Sequence, residues 1–137
     1  MAIDRIAQIG GKIVVDETAP DRPVIAVDLN DTRAADEDLK WFKALPRLQK
    51  LNLSNTHISD AGMSHLADLS QLQELELSYT RVGSEGISHL KNLANLRSLI
   101  AQRTWVDDNA IEHLQALSQL ETLIVWGTDI SDAGLEK

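Results

Sequence analysis

Three histidines, His65, His89 and His113, follow one another at intervals of 24 residues, and Trp41 holds the same phase one step earlier. Stacked side by side, three imidazoles are the residue type that gathers a zinc or copper ion. No column of aspartate or glutamate recurs beside them to complete or orient such a site, and each precedes a leucine of the same period. The spacing therefore predicts a helix flank repeated because the whole segment repeats, and no metal. Glu74 and Glu76 lie two apart, so on a strand they face the same way. Such a pair suits glycoside hydrolysis only across an enclosing cleft. There is no nucleophile-elbow sequence, no glycine-rich phosphate loop after a strand and no HExxH helix. These readings predict no catalytic residue, no cofactor and no enzyme.

A second group is more promising. Tyr79, Ile100, Arg103, Trp105, Ile124 and Trp126 fall at positions that the apolar pattern described next does not need. Exposed tryptophan, tyrosine and arginine dominate binding hot spots, and a contiguous apolar patch on a protein surface usually marks a contact. Two readings stay open: the group contacts a partner, or Trp105 and Trp126 fold back over the turn to cover a thin place in the core.

The elements that would position these residues come from an internal repeat. Rows of 24 beginning at Val24, Leu48, Leu72, Leu96 and Leu120 align without an insertion. The fourth position reads Val27, Leu51, Leu75, Leu99, Leu123 and the sixth Leu29, Leu53, Leu77, Ala101, Val125. That alternation predicts a strand with one buried face. Positions 16, 19 and 22 are apolar at a spacing of three, as along one side of a helix, for example Met63, Leu66 and Leu69. Position 13 holds Asp36, Asp60, Ser84, Asp108 and Asp132, which read as helix N-caps. One strand-turn-helix unit cannot bury its apolar side alone, so neighbours must stack, with a parallel concave sheet inside and short helices on the convex side.

Rows such as Leu48–Gln71, with the pattern T-x-I/V-x-D-x-G-L, resemble the bacterial leucine-rich-repeat families and the cysteine-containing repeats of ubiquitin-ligase adaptors. The resemblance implies an α/β right-handed solenoid, a ribonuclease-inhibitor-like horseshoe arc, and a protein-binding habit; it carries over no catalytic residue. Where many such repeats place an inward asparagine, this chain has Thr32, Thr56, Thr80, Thr104 and Thr128. These read as a hydroxyl ladder satisfying backbone groups at the bend.

Residues 1–23 are expected to cap the first repeat: Ile3, Ile6 and Ile9 on one helix face, Gly10-Gly11 ending that helix, then a strand over 12–15. The repeats then occupy 24–47, 48–71, 72–95, 96–119 and a partial 120–137. The fifth row stops before its second and third helical leucines, which fits a fragment of a longer protein, a frayed tail or an end docked on another chain.

Composition narrows the partner. A net charge of −8 disfavours nucleic acid, whose affinity comes from lysine and arginine on phosphates, and an anionic membrane. With no cysteine and no signal-peptide-like run at the start, a cytoplasmic setting is favoured. The expected function is a protein-protein interaction module binding through Tyr79, Ile100, Arg103, Trp105, Ile124 and Trp126, bordered by Glu74 and Glu76. The alternatives are a self-assembling homo-oligomer, paired through the C-terminal end or the aromatic patch, and a small-ligand or carbohydrate receptor.

Overall fold

The computed structural model describes residues 2–131. One six-stranded sheet runs through the molecule in chain order: β1 (Lys12–Val15), β2 (Val24–Asp28), β3 (Lys50–Asn52), β4 (Glu74–Glu76), β5 (Ser98–Ile100) and β6 (Thr122–Ile124). From β2 to β6 every pairing is parallel, in a register that sets Val27, Leu51, Leu75, Leu99 and Leu123 side by side. Each strand returns through a convex segment: a 3-10 helix over Asp36–Ala44, then α2 (Asp60–Met63), α3 (Ser84–Ser88) and α4 (Ile111–Gln115) with short 3-10 turns beside α2 and α4. No described helix is long and apolar enough to cross a membrane.

The repeat positions predict the interior. Leu29, Leu53, Leu72, Leu77, Ile58, Met63 and Leu66 have no exposed surface, and Ala101 is buried where the sixth position loses its leucine. One continuous apolar column results, in which each repeat packs on its neighbours. At its far side the column thins: Leu123 is 37% exposed, and Leu120, Val125 and Ile130 are only partly buried.

The threonine ladder is present in all five rows. Each hydroxyl donates to the carbonyl three residues back, from Thr32 to Leu29 through Thr128 to Val125, at 2.6 to 2.9 Å. These bonds satisfy acceptors at the bend where the chain leaves the sheet, which explains how Thr56, Thr80 and Thr104 can be buried.

Position 13 departs from the expectation. Asp36, Asp60, Ser84 and Asp108 do not cap their own helices; the residue just before each one holds the N-cap place. Their side chains reach instead into the next repeat, 23 residues on. Asp36 accepts from the Ser59 N–H and hydroxyl, Asp60 from the Gly83 N–H at 2.6 Å and the Gly86 N–H at 3.0 Å, and Asp108 from the Ser131 N–H and hydroxyl. At the third junction the chemistry is reversed: the Ser84 hydroxyl donates to the Asp107 carboxylate at 2.7 Å, and the Asp107 N–H donates to Ser84 Oγ at 3.1 Å. Each junction thus contains one carboxylate bridging two repeats. The physical reason is reach. Helix starts lie side by side in the stack, so a short side chain meets its neighbour's free N–H groups before its own. Asp132 lies outside the described residues.

At the other end, α1 (Ala2–Gln8) and β1 lie against the first repeat, with β1 antiparallel to β2. The Arg5 guanidinium donates to the nearly buried Asp38 carboxylate at 2.6 Å, which also accepts from the Ala35 N–H. Gly10, at φ +89°, ends α1. Of the expected face, Ile6 is buried and Ile9 packs against the core, with Ala2 also inward one turn before Ile6, while Ile3 is 45% exposed and borders a shallow apolar hollow with Trp41.

Candidate functional site

Short parallel strands fix where the sheet's outward side chains stand. Positions 3 and 5 face away from the core, so pairing of Glu76 with Ile100 and of Ile100 with Ile124 lays these three residues in a row across adjacent repeats. Ile100 and Ile124 are half-buried on that row. Three residues past each strand's end the chain turns, and there the backbone enters the left-handed region in all five rows: Asp31 (φ 60°), Asn55 (53°), Tyr79 (59°), Arg103 (50°) and Gly127 (75°). The first four donate their N–H groups to the carbonyls of Ser54, Ser78, Gln102 and Trp126 in the next repeat. Neighbouring repeats therefore hold this conformation in place.

That turn presents the aromatic group. Tyr79 and Trp126 are each 53% exposed and Trp105 is 67% exposed, so none of them folds back to fill the core. The Arg103 guanidinium lies 5.3 Å from the centroid of the Trp126 ring, a cation-π distance, and Gly127 is the residue that allows Arg103 this approach. A Cβ at Gly127 would come within 2.7 Å of Arg103 Cγ. Trp105 stands on the neighbouring line of the turn, where it bridges in parallel to Gly83. Of the two acidic residues beside this group, Glu74 is engaged with Lys50 at 3.5 Å, whereas no partner is found for the Glu76 carboxylate among the described residues.

For asparagine, aspartate or glycine a left-handed φ is tolerated; for tyrosine it is strained, at a cost of about 1 kcal/mol. Tyr79→Asn should therefore raise the unfolding free energy by about 0.5 kcal/mol, after allowing for the ring's modest burial. Urea denaturation tests this, and a lower midpoint would show that the ring's packing outweighs the relief of strain.

Next to the aromatic group the concave face contains a polar hollow of about 460 Å³, which sequence reasoning missed. Its walls include Asp31, Ser54, Asn55, Glu76, Ser78 and Tyr79. The signal for it was the turn position itself, where aspartate and asparagine precede tyrosine and arginine, but an ungapped alignment shows identity and not backbone conformation.

The histidines lie on the convex side. His65 is exposed in a hollow with Lys40, Lys43 and Asp68, and His89 and His113 are half-buried. Among the described residues no three histidine, aspartate or glutamate side chains are grouped to hold a metal. Asp107 titrates below the usual carboxylate range because the Ser84 hydroxyl and the Asn109 N–H both donate to its charged form. Its partners lie at a repeat junction, away from the concave face.

The leucine-rich-repeat family profile matches residues 26–82. Among solved structures, internalin C2 of Listeria monocytogenes is 31% identical over 66% of this chain and 38% of that one, with a TM-score of 0.59. The BIR3–SERK2 complex of Arabidopsis thaliana matches 87% of this chain and 63% of that one at 22% identity and a TM-score of 0.63. The GASSHO1/SCHENGEN3 ectodomain of the same plant, solved with CASPARIAN STRIP INTEGRITY FACTOR 2, matches 86% of this chain and 17% of that one at 19% identity and a TM-score of 0.56. This chain thus spans less than two thirds of each of these relatives. No curated protein matches the sequence. With the family profile matched over its first repeats and the same parallel solenoid throughout the described residues, the chain has the leucine-rich-repeat solenoid fold.

Proposed function

We propose that the chain is a non-enzymatic protein-interaction module whose partner docks on the C-terminal half of the concave sheet. Tyr79, Ile100, Arg103, Trp105, Ile124 and Trp126 make the contacts, and Glu74 and Glu76 form the acidic border. The observation that carries this reading is the exposure of three aromatic side chains at consecutive repeats, with Arg103 placed on Trp126. Two plant neighbours of the same fold are themselves complexes with a protein or peptide, which supports binding as the use of such a surface. The identity to an internalin of Listeria monocytogenes supports a bacterial leucine-rich repeat. The lack of cysteine suits a reducing compartment.

Affinity capture with the wild-type chain and a Trp105→Ala/Trp126→Ala variant tests the reading. The variant should lose captured partner about a hundredfold while its melting temperature stays within a few degrees. Unchanged capture with a large loss of stability would assign the two rings to packing instead.

Self-association is the second reading, favoured by Leu123 and by β6, which is paired on one side only among the described residues. A mass by light scattering that stays monomeric at every concentration would remove it.

A further inference from the structure

The polar hollow beside the aromatic group has a composition that specifies its occupant. Its nine lining residues include two carboxylates, Asp31 and Glu76, and neither lysine nor arginine. Of the cations at neighbouring positions of the repeat, Lys50 is engaged with Glu74 and Arg103 with the Trp126 ring. Position 5 explains why Glu76 is available. In the first two rows the equivalent side chains, Asp28 and Asn52, accept from the backbone N–H two residues on. Glutamate is one methylene longer than either, and no such bond is found for Glu76.

An independent feature points the same way. Ser54 borders the hollow, is 8% exposed, and its Oγ is the one buried side-chain polar atom among the described residues without a hydrogen-bond partner. A buried hydroxyl left in this state costs stability and is a ready acceptor for an incoming donor. Tyr79 supplies an aromatic face at the same rim. Two negative charges, an unsatisfied acceptor and a π surface together match a planar cation with several N–H donors. Guanidinium has that shape and lysine's compact ammonium does not.

We propose that this hollow receives the arginine side chain of a protein segment lying along the concave face, with Glu76 and Asp31 facing the charge, Ser54 Oγ accepting one N–H and Tyr79 stacking on the plane. The proposal rests on the concave face being the binding face and names one feature of its partner.

The test is an amide-resolved NMR titration of the full chain with N-acetyl-arginine methylamide. Saturable shifts are expected at Ser54, Asn55, Ser78 and Tyr79. Glu76→Gln should weaken the interaction about fivefold, as for one charge-assisted contact at a partly exposed site. Ser54→Ala should also weaken it while raising the melting temperature, an opposition that a purely structural hydroxyl would not produce. The citrulline analogue, equal in shape but uncharged, should produce no saturable shift. The idea is overturned if arginine gives no saturable shift at these amides up to its solubility limit, or if citrulline or Glu76→Gln behaves like the reference. Free arginine binding much more tightly than the blocked form would also overturn it, in favour of a small-molecule site. The titration reads the hollow alone, so its failure leaves the Trp105/Trp126 capture result standing, and loss of that result leaves the titration interpretable.

Discussion

Replacing Asp60 with alanine is expected to lower the unfolding free energy by about 3 kcal/mol, a large share of the roughly 5–15 kcal/mol typical of a domain. Asp60 Oδ1 accepts from the N–H groups of Gly83 and Gly86, at the start of α3 in the next repeat. Gly83 has no side chain to cap its own helix, and both glycines are buried, so water does not readily replace the carboxylate. Two buried donors are orphaned at once, and the helix terminus loses a negative charge where its dipole favours one. Asp60→Asn retains an acceptor but not the charge, and should cost about half as much. The comparison is read from urea midpoints. A loss below about 1 kcal/mol for the alanine variant would show that the junction is held by apolar packing alone.

Leu77→Ala should cost about 3–4 kcal/mol, by lost transfer energy and by the cavity left in a column that cannot collapse without moving both neighbouring repeats. Leu77 is fully buried in the third of five rows, so its methyl groups are covered from both sides of the stack. Leu123→Ala, the same chemical change in the last strand, should cost about 1 kcal/mol, because that side chain is already 37% exposed. Equal losses at the two positions would contradict a core built from nearest-neighbour contacts.

The fold was legible because its cause is local and repeated: alternating positions 4 and 6 make the strand, the three-spaced leucines make the convex side, and five copies leave one way to bury both. The threonine ladder was legible for the same reason. The junction carboxylates were not. Asp60 has the residue type and place of an N-cap, and only the lateral closeness of helix starts turns it toward Gly83. Ile3 was misplaced because a spacing of three and one of four both suit a helix face, and with only seven residues in α1 the packing of Ala2 and Ile6 decided between them. At the candidate site, residue type pointed to the aromatic positions. The hollow depends on which side chains their neighbours have already engaged, and that is a property of coordinates.

The single carboxylate at each junction sets rules for how such an array can lengthen. In the second repeat Ser59 faces backward and Asp60 forward, so a tandem copy would meet its parent through an acid and a hydroxyl, the pairing already used between Asp36 and Ser59. Copying the third repeat would set Ser84 against Gly83, with no acid between them, and copying the fourth would press Asp108 against Asp107, two like charges. The modules are interchangeable in their interiors and not at their seams. Growth by duplication is therefore chemically neutral at one place in this array, slack at another and repulsive at a third.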